Sequence, residues 1–124
     1  MKILVVDDEQ DIKLLFQQRF RKEIRNKEMD FVFAYSGEEA IDILKDMMQE
    51  AVLILSDINM PGMSGLDLLQ FIKQDYVEPP PVVMMITAYG DEQNHRKAKE
   101  LGADAFLTKP LNFKNLKSEL KNLK

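Results

Sequence analysis

The sequence predicts an α/β protein with a doubly wound, five-stranded parallel sheet and five helices, in the order (βα)5. Apolar runs of strand length alternate five times with helical patterns along the 124 residues. Three of these runs are almost continuous Val, Ile, Leu or Met, as expected for strands that are buried on both faces of a parallel sheet. Parallel neighbours require right-handed crossovers, so helices must cover both faces.

The strands are predicted from short apolar runs, because strands buried on both faces lack the polar alternation of half-exposed ones. None of the runs is long enough to span a membrane, which takes about 20 residues. The five predicted strands are Ile3–Val6, Phe31–Tyr35, Val52–Leu55, Val82–Ile86 and Ala105–Leu107.

The helices are predicted from apolar residues at helical spacing and from residues that favour helix ends. The first runs from about Asp11 to Arg25, and the fourth from Asp91 to Leu101, where Gly102 is suited to end it. The other three start at polar residues, and Glu39 completes a capping box at the start of the second helix. The second helix starts at Ser36, the third is capped by Ser64, and the fifth starts at Asn112.

Composition limits the class of protein. The length fits one domain, residues 1–124, and the absence of cysteine excludes disulfides and thiolate metal sites. A formal net charge of -4 argues against nucleic-acid binding by the whole surface. We therefore expect a globular protein in a reducing, cytoplasmic setting, without membrane contact.

The charge is uneven along the chain. Residues 1–90 carry 16 acids and 9 Lys or Arg, whereas residues 91–124 carry 5 acids and 8 Lys or Arg. A solvated helix face and a docking face for a partner both explain the basic C-terminal third. The basic residues include Lys114, Lys117 and Lys121, which share one side of the last predicted helix.

Polar residues follow four of the predicted strands, at the sheet edge where doubly wound proteins bind ligands. Asp7 and Asp8 follow the first strand, Asp57 the third, Thr87 the fourth and Lys109 the fifth. Three carboxylates at one place repel, by about 4 kcal/mol for two charges ~4 Å apart at a dielectric of 20. A hard divalent cation such as Mg²⁺ compensates for this with oxygen ligands. Helix caps explain a single Asp but not the whole set.

This set of groups suits phosphoryl transfer. The cation, the Lys109 ammonium and the Thr87 hydroxyl can each meet one phosphoryl oxygen. Asp57 is then the nucleophile and the site of an acylphosphate. The chemistry would be that of an aspartyl phosphate.

The motifs of the chain resemble those of the receiver domain of two-component response regulators. They are Ile3-Leu4-Val5-Val6-Asp7-Asp8-Glu9, Asp57-Ile58-Asn59-Met60-Pro61-Gly62-Met63-Ser64-Gly65, Thr87-Ala88-Tyr89 and Lys109-Pro110. The resemblance covers the whole chain and implies the flavodoxin-like strand order 2-1-3-4-5. It also implies a signalling switch, not an enzyme acting on other substrates.

The resemblance implies a role for each matching residue. Asp57 corresponds to the phosphorylated aspartate, and Lys109 to the lysine that contacts the phosphoryl group. The implied Mg²⁺ ligands are Asp8, Asp57 and the backbone carbonyl of Asn59, with Asp7 acting mostly through water. Two further residues, Thr87 and Phe106, correspond to the switch hydroxyl and the rotating aromatic residue. The peptide bond before Pro110 is expected to be cis.

The resemblance also implies partners. A sensor histidine kinase or a phosphotransfer protein would supply the phosphoryl group. The fourth predicted helix, the fifth strand and the fifth predicted helix would then act on a downstream protein or an attached output domain, or form a phosphorylation-dependent homodimer. The fourth helix has only Ala98 and Leu101 as apolar anchors, so we expect it to be the most mobile helix. Its His95, the only histidine, is predicted to face solvent.

Three other interpretations stay open from the sequence. A phosphatase of the haloacid dehalogenase type would need an acid two residues after Asp57, where Asn59 stands. A flavin carrier of similar topology would need a phosphate-binding loop after the first strand, where the acidic residues would repel the flavin phosphate. The chain could also be the receiver domain of a larger transcription factor, cyclase or hybrid kinase, or an intermediate in a phosphorelay.

Overall fold

The computed structural model describes residues 2–47, 53–75, 81–88 and 90–122. Its five strands form one parallel sheet in the order β2-β1-β3-β4-β5, which confirms the predicted topology. The strands are β1 (Lys2–Val6), β2 (Asp30–Ala34), β3 (Leu53–Asp57), β4 (Val82–Thr87) and β5 (Ala105–Thr108). The helices are α1 (Ile12–Arg19), α2 (Arg21–Arg25), α3 (Gly37–Met47), α4 (Gly65–Asp75), α5 (Glu92–Glu100) and α6 (Phe113–Asn122).

The predicted strand bounds are correct to within two residues. Most of the differences lie at the carboxyl ends, where β3 extends to Asp57 and β4 to Thr87. Two of the predicted site residues are therefore the last residues of their strands. Val52 and Tyr89 lie outside the described residues.

The prediction of one continuous first helix is wrong, because the structure has two helices, α1 and α2, that meet at Phe20. Helical hydrogen bonds continue across this point, from the Phe20 N–H to Phe16 and from the Ile24 N–H to Phe20. The Phe20 backbone nevertheless leaves the helical region, with φ -111° and ψ 24°. Its ring is fully buried and stacks on Phe16 at 5.7 Å, so the bend accompanies tertiary packing of two large rings.

Two apolar cores separate the helices into two layers. One core lies under α1, α2 and α6 and contains a group of aromatic rings. In this group the rings of Phe31 and Phe113 make edge contacts with the ring of Phe16, at 5.5 and 5.3 Å. The other lies under α3, α4 and α5 and is mostly aliphatic. Residues of β1, β3 and β4 alternate between the two cores, which explains why their sequences are apolar throughout.

The predicted helix caps are present. Backbone N–H groups at Glu39 and Asp67 donate to the Ser36 and Ser64 hydroxyls, at 3.0 and 3.2 Å. At the start of α6 the Asn115 N–H donates to the Asn112 side chain at 3.1 Å. Three of the six helices therefore begin at the residues that the sequence indicates.

Within the part of the chain that the structure describes, no helix combines the length and the apolar character that crossing a membrane requires.

Candidate functional site

The candidate site lies at the carboxyl edge of the sheet, where the ends of four neighbouring strands meet. The last pairs of the register bring Val6 beside Ser56, Asp57 beside Ile86, and Thr87 beside Thr108. The residues that end these strands, or follow them, therefore come together although they are far apart in sequence. This is the convergence that the predicted topology required.

Three carboxylates form the centre of the site. Asp7, Asp8 and Asp57 each offer a carboxylate oxygen, and these oxygens all lie within 4.8 Å of one another. Asp7 and Asp57 are buried, with 2% and 3% of their surface exposed. Such an oxygen-only donor set can hold a hard divalent cation such as Mg²⁺.

The environment of Asp7 disfavours its charge. Burial raises the pKa of Asp7 above 3.8, and the neighbouring charge of Asp57 raises this pKa further. A hydrogen bond from the Glu9 N–H to Asp7 Oδ1, at 2.9 Å, acts in the opposite direction. Burial is the larger cause and repulsion from Asp57 adds to it, so the charged form of Asp7 is disfavoured, and a bound cation would favour that form.

Lys109 pairs directly with Asp57. Its Nζ donates to Asp57 Oδ2 at 2.7 Å and lies 3.9 Å from Glu9 Oε1. Burial alone would lower the pKa of Lys109, but the hydrogen bond and the negative charge of Asp57 outweigh it, so the pKa lies above 10.5. The ammonium is therefore held in its charged form beside the carboxylate.

The loop after β3 approaches the site so closely that one position requires glycine. A Cβ atom on Gly65 would lie 2.1 Å from the carbonyl oxygen of Asp57. The Gly65 N–H also donates to the Ile58 carbonyl at 2.8 Å. Gly65 thus lets the start of α4 pack directly on the end of β3 and fixes the backbone of Asp57.

The remaining predicted residues lie around this centre. Thr87 is buried, and its backbone carbonyl accepts from the Lys109 N–H at 2.9 Å. Asn59 lies in the β3–α4 loop with an exposed side chain. Phe106 is half-buried on β5 and packs against the aliphatic core. The Lys109–Pro110 bond is cis, as expected.

One prediction about the last helix requires correction. The sequence places Lys114, Lys117 and Lys121 on one side of the last predicted helix, within the surface expected to act on a partner. Lys117 instead pairs with Glu23 Oε2 at 3.4 Å and lies over the Phe20 ring at 5.4 Å, so it faces α2. Packing of Phe113 and Leu116 in the aromatic core sets this rotation of α6.

Sequence reasoning also missed two contacts. Glu9 extends the charged environment of Lys109, a role that its position beside Asp7 and Asp8 could have indicated. His95 is exposed, as predicted, but its ring lies 4.0 Å from the ring of Phe106 in an edge arrangement at 74°. No sequence signal indicates that contact, because it depends on how α5 is placed on the sheet.

The chain matches a family model described as "Response regulator receiver domain" over residues 3–121. It is 35% identical over 120 residues to the transcriptional regulatory protein CpxR of Escherichia coli strain K12. That match covers 97% of this chain and 47% of CpxR. The chain therefore spans about half the length of the curated relatives it matches.

Solved structures of receiver domains also resemble this chain. The crystal structure of a response regulator receiver domain protein from Clostridium thermocellum matches with a TM-score of 0.84 and 29% identity, over 98% of this chain and 91% of that one. A response regulator signal receiver domain from Bermanella marisrubri matches with a TM-score of 0.82 and 25% identity, over 98% and 96% of the two chains.

Proposed function

Because the chain belongs to the response regulator receiver domain family, whose members are signalling switches, we propose that it accepts a phosphoryl group on Asp57 and thereby controls a partner. The observation that carries this proposal is the arrangement around Asp57. Its carboxylate lies beside two other carboxylates and 2.7 Å from the Lys109 ammonium, at the end of a buried strand.

The donor set supports Mg²⁺ as the cofactor. Asp8 and Asp57 would bind the ion directly together with the backbone carbonyl of Asn59, and Asp7 would act mostly through water. When bound, Mg²⁺ would supply positive charge that neutralises the carboxylates and the oxygens of an incoming phosphoryl group. The burial of Asp7 and its repulsion by Asp57, which together raise the pKa of Asp7, support this assignment because a cation would stabilise the buried charge.

The residues of the chain account for the transfer. One Asp57 carboxylate oxygen attacks the phosphorus of a phosphohistidine on a sensor histidine kinase or a phosphotransfer protein. The new O–P bond forms as the P–N bond breaks, and the electron pair of that bond returns to the imidazole. The Lys109 ammonium, already beside Asp57, would then stabilise the charge of a phosphoryl oxygen.

Thr87 and Phe106 would transmit the change. Thr87 ends the strand next to Asp57, so its hydroxyl can move toward a phosphoryl oxygen. Phe106 would then turn inward from its half-buried position on β5. The response would be a shift between two packings of α5, β5 and α6, the surface that we propose contacts the downstream partner.

The activity would be limited to the protein's own phosphorylation and dephosphorylation, in the cytoplasm. Asn59 supports the limit on activity, because a phosphatase that uses an aspartyl nucleophile would need an acid at that position. CpxR is a transcriptional regulatory protein about twice as long as the match. We therefore retain the alternative that these residues serve as the receiver domain of a larger regulator or as a phosphorelay intermediate. Direct contact with nucleic acid is not expected of the domain.

Incubation with acetyl phosphate and Mg²⁺, followed by mass spectrometry, tests the proposal. We expect one added phosphoryl group on the protein and none on Asp57→Asn. Asp42→Asn is the matched control, because Asp42 is an exposed acid on α3. Phosphorylation of Asp57→Asn to the same extent would overturn the assignment, as would transfer that continues undiminished when EDTA removes the metal.

A further inference from the structure

The ring of His95 lies against the aromatic residue of the proposed switch. The centroids of His95 and Phe106 are 4.0 Å apart with an interplanar angle of 74°. His95 is exposed on α5, whereas Phe106 is half-buried on β5, so the imidazole covers part of the phenyl ring from the solvent side.

His95 also borders the space next to the proposed switch hydroxyl. It lines a cavity of about 330 Å³ together with Thr87 and Thr108. His95 therefore borders both parts of the proposed switch, since it shares the cavity with Thr87 and contacts Phe106 directly. A movement of either part changes the surroundings of the same imidazole.

The contact matters more because α5 is otherwise weakly held. Among the residues of α5, only Ala98 is buried. A methyl side chain buries little apolar surface, and burial stabilises by about 25 cal/mol per Å². The His95–Phe106 ring contact thus joins β5 to a helix that buries little apolar surface of its own.

We propose that His95 is a positioning residue that holds Phe106 in its half-exposed position and couples it to α5. The inference rests on the proposed function, in which Phe106 turns inward after phosphorylation. His95 would set how often Phe106 leaves the half-exposed position before any phosphoryl group is bound. When Phe106 turns inward, α5 loses this contact and becomes free to shift.

The test follows the Phe106 ring in the unphosphorylated protein, by ¹⁹F NMR with 4-fluorophenylalanine and assignment through Phe106→Leu. In His95→Ala we expect the inward population to rise about 2- to 12-fold, which corresponds to the strength of one aromatic pair. Hydrogen exchange in α5 should accelerate with it. Gln93→Ala, an exposed position on the same helix, is the matched control and should leave both unchanged.

Rescue separates a ring contact from mere bulk. His95→Tyr keeps a ring and should restore the wild-type Phe106 signal, whereas His95→Gln should behave like the alanine variant. A Phe106 signal and an α5 exchange rate that are unchanged in His95→Ala would overturn the proposal. Equal rescue by glutamine and tyrosine would also overturn it, because the side chain would then act only as a spacer.

The same spectra distinguish failure of this inference from failure of the proposed function. The His95 effect is measured without a phosphoryl donor and should persist in an Asp57→Asn background. If acetyl phosphate modifies the protein but His95→Ala leaves Phe106 unchanged, only the role of His95 is wrong. If Asp57 accepts no phosphoryl group but His95→Ala still shifts Phe106, the proposed function fails and the positioning role of His95 stands.

Discussion

Asp7→Asn should stabilise the protein when no divalent cation is present, although it weakens the hydrogen bond from the Glu9 N–H to the Asp7 side chain. The Asp7 and Asp57 carboxylates come within 4.8 Å of each other, a separation at which two charges repel by about 3.5 kcal/mol at a dielectric of 20. Loss of attraction to Lys109 and a weaker hydrogen bond from the Glu9 N–H offset most of this gain. We expect a net increase of about 1 kcal/mol in the free energy of unfolding.

The assay is thermal unfolding of wild type and Asp7→Asn in EDTA, where about 1 kcal/mol corresponds to roughly 3–5 °C in Tm for a domain of this size. Millimolar Mg²⁺ should raise the Tm of the wild type more than that of the variant, because the ion binds the folded state and the variant has lost one carboxylate. Asp42→Asn should show neither effect, since Asp42 is exposed on α3 and outside the cluster.

The pH dependence has a defined sign. The pKa of Asp7 is higher in the folded protein than its ordinary value of 3.8, so its protonated form is favoured by folding. The corresponding stability is complete below pH 3.8 and is lost as the pH rises through the folded pKa. The advantage of Asp7→Asn should therefore appear above that pKa and vanish in acid. A variant that is less stable than wild type in EDTA at neutral pH would refute this reasoning.

Three further predictions test other parts of the structure. Gly65→Ala should lower the free energy of unfolding by about 3 kcal/mol in urea titrations, because its Cβ would collide with the Asp57 carbonyl; equal stability would contradict the close approach. Lys109→Met should remove the loss of stability that wild type shows above pH 10.5 as the ammonium deprotonates, measured by the Tm from pH 8 to 12. Hydrogen exchange should be faster in α5 than in α1, where Phe16 is fully buried, and equal protection of the two helices would be inconsistent with weak anchoring.

The sheet could be predicted from the sequence because its strands are buried on both faces. Each of β1, β3 and β4 places successive residues in opposite cores, so the pattern is apolar throughout and differs from that of any half-exposed strand. Parallel order then follows from the alternation with helices. The carboxyl ends of parallel strands lie at the same edge of the sheet, so Asp7, Asp57 and Lys109 must come together there. Their placement could therefore be predicted without coordinates.

What could not be predicted depends on how helices are rotated and bent by tertiary packing. The bend at Phe20 accompanies burial of its ring against the rings of Phe16 and Phe31. Phe31 lies on β2, so the bend depends on an element outside the helix. The direction of Lys117 is likewise set by the neighbours of Phe113 in the aromatic core. Helical periodicity shows which residues share one side of a helix. It contains no information on which neighbouring helix or strand that side faces.

The two cores differ in a way that bears on the direction of any signal from Asp57. Large interlocking rings hold α1, α2 and α6 to one face of the sheet, whereas α5 contributes one buried methyl group to the other. A change of charge at the shared edge perturbs both faces, but the face with the smaller buried area yields at lower cost. Thr87 lies on β4 and Phe106 on the neighbouring β5, and Phe106 packs against the core that lies under α5. The difference in packing thus favours a response on the α5 side, and strengthening α5 with a larger buried residue at position 98 should reduce it.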